Sequence, residues 1–185
     1  MIRLAALLTV LAVPVMAESP FPLAIGGPYD LTNQHGQPHS QVDPDGRAQL
    51  LFFGYANCQQ ICSAALPMMA DIADLVAADG YDITPVMITV DPKRDTVADI
   101  GPPLTYFHDD FVGLTGTPAE LQVAYDAFNV EIELLFEDPF EGDIFAHGSF
   151  IYLLDKDGKL LTLIPPVVSN DQARDIVLPY LEGTG

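Results

Sequence analysis

Ala48 to Tyr55 (AQLLFFGY) is a nearly continuous apolar run. A strand covered on both faces carries no polar side, so this run predicts a buried strand. From Cys58 to Asp79 the spacing turns helical, with Leu66, Met69, Ile72, Leu75 and Val76 on one stripe. Pro67 lies inside that helix, lacks an N–H and crowds the carbonyl of Ser63, which predicts a kink. Thr84 to Val90 reads as a second buried strand and Phe111 to Leu114 as a short third one.

Thr117-Pro118-Ala119-Glu120 has a capping residue, a proline suited to the first helical turn and a glutamate that reaches back. The helix it opens puts Leu121, Ala124, Tyr125 and Phe128 on one face. Ser149 to Leu154 and Lys159 to Ile164 flank Asp155-Lys156-Asp157-Gly158, a hairpin signal. A last helix begins near Ser169, with Gln172 placed to complete its cap, and ends near Leu181. Upstream, Tyr29 to Asp43 carries His35-Gly36 between short mixed runs and predicts another hairpin, after an irregular lead-in over 18–28. This alternation predicts one α/β domain, a central mixed sheet flanked by helices with an N-terminal β-hairpin.

The first seventeen residues have a different pattern. Arg3 is followed by an uncharged run from Leu4, and Val15-Met16-Ala17 is a small-residue cleavage pattern. The layout is that of a secretory signal peptide, with the domain occupying residues 18–185. A membrane anchor is the alternative, but the run to Ala17 falls short of the ~18 residues a spanning helix needs, and Pro14 interrupts it. The expected location is therefore exported and periplasmic, anchored to the membrane only if the leader stays.

Seven Lys and Arg stand against 26 Asp and Glu, for a formal charge of −19 in a chain of 185 residues. Such a surface repels phosphate backbones and anionic membranes, which argues against nucleic-acid binding. Cations and basic protein faces stay open as partners. The acids of 131–143 (Glu131, Glu133, Glu137, Asp138, Glu141 and Asp143) predict a solvated hairpin, with a partner-docking surface as the functional alternative. Asp43-Pro44-Asp45-Gly46 and Asp155-Lys156-Asp157-Gly158 resemble pieces of calcium loops but lack the distal glutamate, so they read as turns.

Two cysteines, Cys58 and Cys62, follow a buried strand at the start of a helix. Residues four apart share a helix face, and the helix N-terminus favours thiolate over thiol. A purely structural disulfide across so small a loop would contribute only about 2 kcal/mol in the chain-entropy model. Thiol–disulfide exchange and soft-metal binding remain open, with Cu(I) suited to two thiolates and Zn(II) an alternative. Two sulfurs leave room for a third ligand. His35 and His39 lie in a polar turn region and are expected to be solvated; His108 is expected at the surface. His147 precedes a strand and is joined to it by Gly148. Asp91, in Val90-Asp91-Pro92, falls at a strand end on the same rim as the cysteines, either as a group hydrogen-bonding near the site or as ordinary turn chemistry. Lys93, Arg94 and Asp95 are expected to form local ion pairs.

FFGYANCQQIC, ITVDPKRDT (88–96), DFVGLTGTPAEL (110–121) and HGSFIYLLDKDGKL (147–160) together resemble the Sco (SenC) family. That family consists of thioredoxin-like copper chaperones serving the binuclear copper centre of cytochrome c oxidase. The resemblance implies a thioredoxin-like fold, Cu(I) or Cu(II) as cargo, and Cys58, Cys62 and His147 as its ligands. It implies as partner the copper-accepting subunit of the oxidase or another copper chaperone. A thiol–disulfide reductase that keeps the target's cysteines reduced is the competing role for Cys58 and Cys62, and a sensor role is a third. The chain departs from the family at Gln59 and Ser63, where proline is common, and at Gly148, where many relatives have Ser or Thr. Gly101-Pro102-Pro103 is expected to cut short a helix that relatives continue.

Overall fold

The computed structural model describes residues 25–56, 62–140 and 142–183; the side chains of Cys62 and Ser63 are outside that description. The leader over 1–17 and Cys58 also lie outside the described residues.

The core is a seven-stranded mixed sheet. In chain order its strands are β1 (Asp30–Asn33), β2 (Pro38–Ser40), β3 (Ala48–Gly54), β4 (Ile83–Thr89), β5 (Val112–Thr115), β8 (Ile151–Leu154) and β9 (Leu160–Ile164). In space they run β2-β1-β5-β4-β3-β8-β9. β3, β4 and β5 are mutually parallel, while β1 and β8 flank them antiparallel. β3 and β4 are buried along almost their whole length, as apolar runs without alternation require. Parallel β3 and β4 need a crossover, which α1 (Cys62–Ala78) supplies, and Pro67 lies within it.

Phe53 faces the α3 side (α3, Pro118–Ala127), with its ring 6.0 Å from Tyr125 and 5.5 Å from Phe128. α4 (Asn170–Glu182) packs against α1 and buries Ala173, Val177 and Leu181. Both Thr117 and Ser169 form complete capping boxes, with Glu120 and Gln172 as the returning side chains. β1 and β2 form the N-terminal hairpin, with Leu31 opposite His39. Gly158 turns the β8–β9 hairpin at φ +78°; a Cβ there would lie 2.7 Å from the Gln41 carbonyl oxygen, so no other residue fits.

Three expectations are revised. Gly101-Pro102-Pro103 opens a short helix, α2 (Gly101–Thr105), instead of ending one, because prolines in the first turn have no N–H to lose there. His39 is buried: its place on β2 turns it inward, against Asp43 and Gln49. Asp95 makes no ion pair among the described residues, and its buried carboxylate accepts hydrogen bonds. Asp43-Pro44-Asp45-Gly46 is a turn, with Asp43 Oδ1 accepting from Asp45 N at 2.8 Å and Oδ2 accepting from Thr84 Oγ1 at 2.6 Å.

The acidic stretch forms a separate two-stranded sheet of β6 (Glu133–Asp138) and β7 (Gly142–Ala146), antiparallel and broken by a bulge between Leu134 and Phe136. Among the described residues no helix is long and apolar enough to cross a membrane.

Candidate metal centre

Three chain segments meet at the carboxyl ends of β3 and β4. The first is the exit of β3, where Tyr55 and Ala56 stay buried on the way to the cysteine segment and α1. The second is the exit of β4, Val90 to Asp95, whose Val90 N–H donates to Gly54 O at 2.7 Å and so ties the two strand ends together. The third is the end of β7, which delivers His147.

Asp95 fixes the first segment to the second. Its Oδ2 accepts from Ala56 N at 3.0 Å and from Thr89 Oγ1 at 2.7 Å. The Thr89 hydroxyl in turn accepts from Asp91 N at 2.9 Å, and the Thr89 carbonyl accepts from Tyr125 Oη at 2.7 Å. Burial pushes the Asp95 carboxyl above its ordinary value, and the two hydrogen bonds pull it partly back. Burial likewise pushes the Tyr125 phenol upward, so it stays a neutral donor.

His147 sits over the rim, half-buried. Its ring meets Phe52 at 5.7 Å and Tyr55 at 6.0 Å, both edge to face. Nδ1 lies 3.0 Å from the Gly148 carbonyl oxygen. A carbonyl oxygen can only accept, so the tautomer that satisfies it carries the proton on Nδ1 and the lone pair on Nε2. That is the form in which an imidazole binds a metal through Nε2. Fold and aromatic packing therefore place the His147 ring beside the strand that leads into the cysteine segment.

Asp91 is buried at the end of β4, paired to Arg94 Nε. It reaches the site through Arg94, whose guanidinium carbon stands 5.3 Å from the Tyr55 ring centroid. Lys93 pairs with Asp143 at 3.1 Å. The other histidines lie elsewhere. His35 is exposed in the β1–β2 turn and His39 is buried on β2, at the sheet edge beyond β4, β5 and β1 from β3. His108 is half-buried, with Nε2 3.6 Å from Asp74 Oδ1.

Reading the sequence overlooked Tyr55, Arg94 and Asp95 as parts of the rim. The available signal was Asp91 and Asp95 bracketing Lys93-Arg94 directly after a buried strand. A pattern of that kind fits a solvated turn equally well, and only the fold turns Asp95 inward.

The chain matches the SCO1/SenC family model over residues 17–182. It is 36% identical over 138 residues to a SCO2-like protein of Rickettsia felis, covering 74% of this chain and 67% of that protein. The structure of Arabidopsis thaliana ScoI with copper bound matches with a TM-score of 0.80 at 27% identity, covering 86% of this chain and 99% of that one. Bradyrhizobium japonicum ScoI with copper bound matches with a TM-score of 0.74 at 28% identity, covering 85% and 100%.

Proposed function

Because the chain belongs to the SCO1/SenC family, we propose that it is a copper metallochaperone that holds its cargo through Cys58, Cys62 and His147 and delivers it to the binuclear copper centre of cytochrome c oxidase. The observation that carries the ligand set is the seat of His147, whose ring packs on Phe52 and Tyr55 at the end of the strand leading to Cys58. Copper-bound relatives of the same fold support copper as the cargo.

The donor set suits the metal. Two thiolates are soft ligands that hold Cu(I), and an imidazole adds the nitrogen donor that Cu(II) prefers. Transfer proceeds by exchange of ligands: thiolates and imidazoles of the partner replace Cys58, Cys62 and His147 one at a time. The protein is exported, where oxidised and reduced forms of the cysteine pair both have a use.

The hairpin of β6 and β7 supplies the face for the partner. Leu134, Leu135 and Phe136 are each more than half exposed, and Phe140 is 98% exposed. Around them stand Glu131, Glu133, Glu137 and Asp138, with Lys93 and Arg94 bound at Asp143. An apolar centre with an acidic rim fits a partner whose own metal-accepting face is apolar and rimmed by basic residues.

One feature favours a second role for the same pair. The sequence puts the pair at the start of a helix, and a helix N-terminus stabilises thiolate, which is what a thiol–disulfide reductase of the partner's cysteines needs. Copper titration separates the roles. Reduced protein given Cu(I) or Cu(II) and then desalted retains both as a chaperone, and His147→Ala lowers Cu(II) affinity far more than Cu(I) affinity. A variant that binds both oxidation states as the wild type does removes His147 from the ligand set, and a wild type that retains no copper leaves only the reductase.

A further inference from the structure

Arg94 touches every segment that builds the rim. Its Nε pairs with the buried carboxylate of Asp91 at the end of β4. Its Nη2 donates to the main-chain carbonyl of Asp143 on β7 at 2.7 Å. Its guanidinium stands over the ring of Tyr55, 5.3 Å from the centroid, at the exit of β3. Tyr55 in turn packs edge-on against Phe145 at 6.1 Å and His147 at 6.0 Å. The contacts close a circuit: Arg94 to Asp143, along β7 to Phe145 and His147, across to Tyr55 and back to Arg94.

Apolar contacts come from β7, where Ile144 is buried and Phe145 packs against the core; the hairpin's polar ties to the sheet run through Lys93 and Arg94 among the described residues. β6 is exposed along nearly its whole length, and β6 and β7 pair only with each other. The second polar tie, Lys93 to Asp143 Oδ2, involves a lysine whose side chain is 81% exposed, and exposed pairs hold geometry weakly. Gly142 leaves room for the contact: it takes φ +75°, and a Cβ there would lie 3.0 Å from Arg94 Nη1. A planar fork can pair with Asp91 through one edge and reach a carbonyl with another nitrogen, while its face covers an aromatic ring. A lysine ammonium cannot do all three.

We propose that Arg94 is a positioning residue for the copper site, locking the β6–β7 hairpin against β3 so that His147 is held at the exit of β3. This rests on His147 as a copper ligand. Arg94 touches no metal; it acts through the angle of the hairpin.

The test is a double-mutant cycle on the full mature chain, with Cu(II) and Cu(I) affinities measured for Arg94→Ala, His147→Ala and both together. Groups that orient a metal ligand typically change affinity 10–100-fold. Arg94→Ala is therefore expected to weaken Cu(II) about tenfold, to leave Cu(I) within about threefold, and to have no further effect once His147 is gone. In the copper-free protein the same variant should speed amide hydrogen exchange across 142–147 while the amides of β3 and β4 stay protected. Arg94→Lys, which keeps a charge for Asp91, serves if the alanine variant does not fold, and is expected to give the same pattern more weakly.

Unchanged Cu(II) affinity in the Arg94 variants, with His147→Ala still damaging, overturns the positioning role and leaves the ligand set standing. An Arg94 effect that persists undiminished without His147 also overturns it. A flat response to His147→Ala removes the ligand reading, and the role of Arg94 with it.

Discussion

The imidazole of His147 meets the ring of Tyr55 edge to face, with centroids 6.0 Å apart and planes inclined by 77°. One residue directly follows the strand that leads into the cysteine segment and the other follows a hairpin formed much later in the chain. Aromatic pairs in this arrangement are worth about 0.5–1.5 kcal/mol beyond their buried area, so Tyr55 both stabilises the rim and seats the histidine. Tyr55→Leu keeps an apolar side chain but loses the edge contacts to Phe145 and His147. It is expected to cost about 1–3 kcal/mol in denaturant unfolding and to weaken Cu(II) retention. Wild-type stability with wild-type Cu(II) binding would show that the packing orients nothing.

Asp95 anchors the start of the cysteine segment through Ala56 N and Thr89 Oγ1. Asp95→Ala leaves two buried donors without an acceptor, at about 1–3 kcal/mol for each. Asp95→Asn keeps a carbonyl oxygen for both and avoids the cost of a buried charge. Urea midpoints are expected to fall sharply for the alanine variant and little for asparagine. Equal losses in the two would mean that the charge itself is needed.

Most of the sheet was legible because buried parallel strands cannot alternate. The apolar run over 48–55 became β3, and the run over 84–90 became β4 shifted by one residue. Both capping boxes were legible because they are local in sequence. What was not legible depends on contacts between distant segments. His39 sits in a polar stretch and looks solvated until β2 pairs with β1 and turns it inward. Asp91, Arg94 and Asp95 resemble one surface cluster, yet the fold separates them into an ion pair that reaches Tyr55 and a buried acceptor. The prolines of α2 can start or stop a helix, and only the residues before them decide which.

Burial holds the His39 imidazole below its ordinary value, with Asp43 and Gln49 pulling it partly back. As pH falls, the unfolded chain takes up this proton before the folded protein does. The stability tied to His39 is therefore complete above the ordinary value and is lost as pH drops through it toward the lower folded one. His39→Leu is expected to flatten the stability curve between about pH 7 and 5, a range set by the ordinary histidine value near 6.5. Identical slopes for variant and wild type would place the acid sensitivity in other groups.

If the acidic-rimmed apolar hairpin is the docking face, partner capture depends on salt. Association with the copper-accepting domain of the oxidase should slow as ionic strength rises, because screening shortens the reach of the field to ~8 Å at physiological salt. Glu133→Lys combined with Glu137→Lys should slow it further and reduce the salt dependence, while copper retention stays at the wild-type level. Stopped-flow association rates over a salt series measure this, and rates independent of both salt and charge reversal would move the docking face elsewhere.

Cys58 and Cys62 as the thiolates that hold copper can be checked by metal analysis of the protein after desalting, in reduced and oxidised forms and in the Cys58→Ser and Cys62→Ser variants. Neither thiolate can stand in for the other, and a disulfide removes both at once. One copper per chain is expected in the reduced wild type and almost none in the oxidised protein or either variant. Equal copper in the oxidised and reduced forms, or full stoichiometry in Cys62→Ser, would contradict it.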